Sequence, residues 1–127
     1  MYRRVVSEEL DLAAVLDLLS DDYARDILAE TSVEPMSANT LSERCDMSLP
    51  TVYRRIERLQ DFDLIEEQTR IDPGGSHHKV YAATLSNFSL DLEDGDFAAE
   101  IERRATELAI DEEEDVADRF TRMWEGL

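Results

Sequence analysis

The sequence predicts a mostly helical α+β domain in which short helices are followed by a β-hairpin. Three observations carry this expectation. Apolar residues recur at spacings of three and four from Leu12 to Leu59. After Leu64-Ile65 the apolar period changes from 3.6 to 2. Pro73-Gly74-Gly75-Ser76 then divides two alternating runs with a strong turn signal.

The elements follow in order. Residues 1–9 read as a short arm carrying Arg3 and Arg4. Asp11 to Leu19 is a helix with Leu12, Val15, Leu16 and Leu19 on one stripe. Ser20 is the candidate cap of a second helix, whose apolar face is Tyr23, Ile27 and Leu28 and whose end falls near Thr31. A loop with Pro35 leads to Ser37 or Asn39, either of which can cap a short third helix holding Leu41 and Cys45. Cys45-Asp46-Met47 is a tight turn. Ser48 opens a fourth helix to Leu64 in which Val52, Ile56 and Leu59 form the apolar stripe, and Pro50 is tolerated because first-turn N–H groups lack helical partners. A short helix, a tight turn and a second helix make a helix-turn-helix arrangement.

Ile65 to Ile71 and His77 to Leu85 read as the two strands of the hairpin, and Phe88, Leu90 and Leu92 as one more strand. From Asp94 a helical reading takes over. Asp94 or Asp96 caps it, Phe97, Ile101, Ala105 and Leu108 form its stripe, and a last helix carries Val116, Phe120, Met123 and Trp124 behind the capping pair Asp111 and Glu114. The expected division is therefore residues 1–92 as one domain and 93–127 as a helical appendage.

Composition narrows the function. The chain has 127 residues, 43% hydrophobic, enough for one compact core. No apolar run approaches the roughly 20 residues that span a bilayer, and MYRRVVSEEL lacks the apolar centre of a secretory leader, so a cytoplasmic protein without membrane contact is expected. One cysteine excludes an intrachain disulfide framework. There is no Gly-rich phosphate loop, nucleophile elbow or metal-ligand spacing. No enzyme, cofactor or metal is expected.

Acids outnumber bases 31 to 13, for a net charge of −18, and Lys79 is the only lysine. This resembles the bias of halophilic archaea, whose molar internal salt shortens screening to about 3 Å and mutes self-repulsion. Bound K+ or Na+ at the acidic surface is expected. Against that background the fourth helix stands out, with three arginines and one glutamate from Ser48 to Gln60, whereas Leu85 to Leu127 holds 14 acids and four bases. Thr51, Tyr53, Arg54, Arg55 and Arg58 lie off its apolar stripe, which suits a helix entering a DNA major groove.

The segment LSDDYARDILAETSVEPMSANTLSERCDMSLPTVYRRIERLQDFDLIEE, followed by PGGSHHKVYAATL, resembles the winged helix-turn-helix of ArsR-type bacterial and archaeal repressors, and similarly that of MarR- and PadR-type regulators. The resemblance covers about residues 18–85. It implies a sequence-specific DNA-binding regulator, a repressor acting as a homodimer on a pseudo-palindromic operator in double-stranded DNA. It puts Pro50, Thr51, Tyr53 and Arg54 toward base edges and Arg55 and Arg58 toward the backbone, with Ser48 and Leu49 also among the DNA-binding residues of this helix. Leu49 and Pro50 replace the small polar residues usual in the family, which implies apolar contact with thymine methyls there. Arg70, Gly74, Gly75, Ser76, His77, His78 and Lys79 would form a wing reaching the minor groove or phosphates. His77 and His78 are adjacent on a strand and point to opposite faces, which disfavours a shared metal ion.

Cys45, beside the DNA-facing helix, could be a redox sensor, although a lone cysteine among apolar neighbours is more often a filler. The metal-sensing ArsR branch has a cysteine pair where this chain has Met36-Ser37-Ala38. Dimerisation is expected through the flanking helices, by Leu12, Val15, Leu16 and Leu19 at one end and Phe97, Ile101, Ala105, Leu108, Phe120 and Trp124 at the other, in an isologous contact. The alternative from another class is a winged domain used as a protein–protein adaptor of the transcription machinery, without direct DNA readout.

Overall fold

The computed structural model describes residues 2–6 and 11–104. Their order is strand β1 (Tyr2–Val6), helices α1 (Leu12–Ser20), α2 (Asp22–Val33), α3 (Ala38–Arg44) and α4 (Leu49–Asp61), then strands β2 (Ile65–Ile71), β3 (His77–Ala83), β4 (Leu85–Glu93) and β5 (Asp96–Arg104). Four helices, a β2–β3 hairpin and a second antiparallel sheet in the order β1-β5-β4 make an α+β winged helix-turn-helix.

Each helix begins on a side-chain cap that satisfies a free N–H of its first turn. Asp11 accepts from Ala14, Ser37 from Thr40 and Ser48 from Thr51. α2 is capped by Asp21, which accepts the Tyr23 N–H, rather than by Ser20. Ser20 instead closes α1 and donates to the Asp17 carbonyl at 2.7 Å.

The core joins all four helices to both sheets. Val15 and Leu18 of α1, Ile27 of α2, Leu41 of α3, Val52 and Leu59 of α4, Leu64 before β2, and Ile101 of β5 are almost wholly excluded from solvent. The inward stripe of α1 is therefore Val15–Leu18, and Leu16 is turned outward. In α2 it is Ala24, Ile27, Leu28 and Thr31, with Tyr23 exposed. Buried Thr31 satisfies its hydroxyl by donating to the Ile27 carbonyl one turn back. Met36, in the loop before α3, exchanges backbone hydrogen bonds with Tyr81, adding a bridge beside β3.

The second sheet overturns the helical expectation for residues 94–104. Residues 96–104 form a strand paired with β4 through Leu92↔Phe97, Leu90↔Ala99 and Phe88↔Ile101. The cause lies in the turn. Asp94 and Gly95 have φ of 51° and 84°, the left-handed pair of a two-residue hairpin turn, whereas a helix cap needs extended backbone and negative φ thereafter. The arm expected at residues 1–9 likewise contains a strand, because β5 offers it an edge, with Val5 opposite Ile101.

Two expected dimer residues are corrected by burial. Val15 and Ile101 are fully enclosed in the chain's own core. Leu12 and Leu19 are half-buried, with Leu19 packed on the core, whereas Leu16 and Phe97 are exposed. Ala105, Leu108, Phe120 and Trp124, with the expected last helix, lie outside the described residues.

Candidate nucleic-acid interface

The helix-turn-helix is α3, its turn and α4. Asp46 adopts a φ of 51° in the turn, and Ser42 ties it down, its hydroxyl donating to the Met47 carbonyl at 2.6 Å while its own carbonyl accepts the Met47 N–H. Asp tolerates this conformation better than most side chains. Met47 is buried and Leu49 packs partly against the core, so the start of α4 is anchored.

With 3.6 residues per turn, burying Val52, Ile56 and Leu59 directs Arg54 to the opposite side of α4. Tyr53 is 47% exposed, and Ser48, Pro50 and Arg54 are also exposed. Thr51 is half-buried. Its hydroxyl oxygen accepts from Ser48 at 2.8 Å and from Arg54 at 3.4 Å, so cap and arginine are linked on one surface. Leu49, expected at a base edge, is turned partly inward.

The three arginines differ in their surroundings. The ion pairs of Arg55 and Arg58 reach beyond their own helix. Arg55 donates through Nε to Asp21, with both side chains largely covered, and its guanidinium lies 5.7 Å from the centre of the Tyr23 ring. Arg58 donates to Asp17 at 3.1 Å in a more open setting. Arg54 has no carboxylate partner among the described residues, only Thr51. Nothing in the sequence signals these pairs, since their partners are 34 and 41 positions apart.

The wing is exposed from Ile71 to His77. The Asp72 N–H donates to the Ser76 carbonyl and the Gly75 N–H to the Asp72 carbonyl, both at 2.8 Å. Gly75 has a φ of 87°, which favours glycine, and Gly74 has open space around it. Arg70 and His78 face each other across the hairpin, as do Thr69 and Lys79. His78 Nδ1 is 3.5 Å from Asp72, and Lys79 is 3.7 Å from Glu67. Arg70 is exposed and makes no ion pair among the described residues. Among these residues no group of three or more His, Cys, Asp or Glu is arranged to hold a metal ion, and no helix is long and apolar enough to cross a membrane.

Cys45 ends α3 and packs partly against the core. Burial pushes its thiol pKa up, the nearby carboxylates of Asp26 and Glu30 add to this, and Arg44 opposes it. The thiolate is the reactive form, so this environment disfavours oxidation and suits the filler role.

Residues 19–68, from the end of α1 into β2, match the family model of a helix-turn-helix domain. A search of curated proteins finds no match to this sequence. Across the segment that builds α2, α3 and α4, the chain is similar to helix-turn-helix domains.

Proposed function

We propose that this chain is a sequence-specific transcriptional regulator, a repressor of the ArsR-, PadR- or MarR-like kind, that binds double-stranded DNA as a homodimer at high salt. The observation that carries the reading is the exposed surface of Tyr53 and Arg54, with half-buried Thr51 bonded to Arg54, on the first half of α4, the part of a recognition helix that lies deepest in a major groove. Arg suits bidentate contact with guanine, and Pro50 supplies an apolar contact for thymine methyls. Arg58 lies on the flank of the same helix, toward the phosphate backbone, beside Arg55, which Asp21 holds, and the wing with Arg70, His77 and Lys79 meets the adjoining groove. A homodimer sets two such helices on half-sites about 10 bp apart.

The charge distribution fits this direction of approach. The helix from Ser48 to Gln60 carries a basic surplus, and most of the chain's acid surplus lies beyond Leu85. In molar salt the phosphate term weakens, so affinity rests on base contacts, groove shape and K+ or Na+ held between carboxylates and phosphates.

The test is selection of bound duplexes from genomic fragments, followed by affinity measurement with Tyr53→Ala and Arg54→Ala. Each variant should stay folded and lose about 10- to 100-fold in affinity for the selected site. Unchanged affinity, or no duplex binding by the native chain at any salt concentration, would sink the reading and favour the adaptor.

A further inference from the structure

The Arg55–Asp21 pair is an arrangement that DNA binding does not require. Asp21 lies between α1 and α2, where its carboxylate caps α2 by accepting the Tyr23 N–H at 3.4 Å. The other carboxylate oxygen accepts from Arg55 Nε on α4. Side-chain exposure is only 25% for Arg55 and 21% for Asp21, and Tyr23 stacks beside the guanidinium. This arginine is held by a carboxylate and an aromatic ring. By contrast, the Arg58–Asp17 pair is 41% and 72% exposed, and open pairs of this kind are weak and exchange readily.

We propose that Asp21 is a specificity-determining positioning residue that withholds Arg55 from the phosphate backbone. The inference rests on the DNA-binding reading above. Phosphate contacts carry no sequence information and supply most non-specific affinity, while base contacts discriminate. A guanidinium held by a sheltered carboxylate and an aromatic ring is neutralised and anchored, so it adds little to attraction for arbitrary duplex. Arg54, which has no carboxylate partner among the described residues, stays available for base readout. Asp21 thereby lowers the non-specific background against which Tyr53 and Arg54 select a site.

The experiment measures binding of a fluorescent random-sequence duplex by anisotropy across a salt series, over the range in which circular dichroism shows each protein folded. Asp21→Asn removes the charge but keeps a side chain that caps a helix equally well. It frees Arg55 for one phosphate, so the slope of log affinity against log salt should steepen by about 0.9, or roughly 3.5-fold more affinity lost per fourfold rise in salt. The double variant Asp21→Asn/Arg55→Ala should return to the native slope. Asp22→Asn is the control. It removes the same charge one residue away, from a carboxylate paired with Arg25 rather than with α4, and should raise affinity without changing the slope. A slope for Asp21→Asn equal to that of Asp22→Asn, or one that persists in the double variant, overturns the proposal while leaving DNA binding intact. A native chain that binds no duplex defeats the functional reading, and this inference with it.

Discussion

Arg103 of β5 fastens the second sheet to the end of α4. Its Nη2 donates to the Phe62 carbonyl at 2.6 Å and its Nε to the Asp63 carbonyl at 2.9 Å. These carbonyls belong to the turn that closes α4, where backbone acceptors lack helical partners and positive charge is favoured. Arg103→Ala should lower unfolding stability by about 1–2 kcal/mol. Arg103→Lys keeps the charge but not the fork and should fall between. Urea denaturation of the three proteins checks the order.

The Asp94-Gly95 turn should be equally sensitive to side-chain chemistry. Gly95→Val places a β-branched residue at a φ of 84° and should cost about 1–2 kcal/mol, although no neighbour obstructs a Cβ there. Asp94→Gly relieves the other left-handed position, at a φ of 51°, and should be nearly neutral. Thermal unfolding distinguishes the two.

One face of the β4–β5 ribbon is apolar along its length. Phe88 and Ile101 face the core, while Leu90, Leu92 and Phe97 are 42%, 62% and 61% exposed at the outer end. Phe97 is one of the residues expected to dimerise, and a homodimer joined through this face would cover Leu90 and Leu92 as well. Leu92→Asp combined with Phe97→Asp should yield a monomer by light scattering, with the helical circular dichroism signal unchanged. A persistent dimer would move the interface elsewhere.

Stability should fall on the alkaline side. Burial raises the Tyr81 phenol above its ordinary value of 10.0, with the Glu67 carboxylate and then Tyr53 adding to it, and Cys45 is raised above its ordinary 9.0. In both cases the folded state favours the protonated form. That stabilisation is complete below the unfolded pKa and is lost as pH rises from it through the folded value. The melting temperature should therefore begin to drop above about pH 9, and further above about pH 10. Tyr81→Phe and Cys45→Ala should flatten the drop, and a phenolate absorbance titration of the native chain should keep a late component that Tyr81→Phe removes.

The wing prediction concerns charge. Arg70→Ala removes an arginine without an ion-pair partner among the described residues. If the wing meets phosphates, it should weaken binding to all duplexes alike and reduce the salt slope by about 0.9. Lys79→Ala should do less, because Glu67 already lies 3.7 Å from its ammonium.

Elements defined by neighbours along the chain are legible from local pattern alone. Ser37 and Ser48 as caps, the stripe of Val52, Ile56 and Leu59, and the hairpin around Gly74-Gly75 all follow from local rules and occur in place. Residues 96–104 show where such rules conflict. Phe97 and Ile101 fit helical spacing, while Phe97, Ala99 and Ile101 fit a strand equally well. The dipeptide Asp94-Gly95 was the available arbiter, because Asp-Gly between alternating apolar runs signals a hairpin, yet Asp also caps helices. Pairing with β1 on one side and β4 on the other completes the strand, and β1 is remote along the chain.

The periodicity of side chains was therefore enough to specify the helix-turn-helix, its wing and the outward arginine surface, since each depends on contacts between residues a few positions apart. Only the folded arrangement decided that Val15 and Ile101 are core, that β5 is a strand, and that Asp21 and Asp17 take two of the three arginines while leaving Arg54 open. The physical reason is that burial and ion pairing depend on distance in space, and a separation of 34 residues carries no trace of it in local pattern.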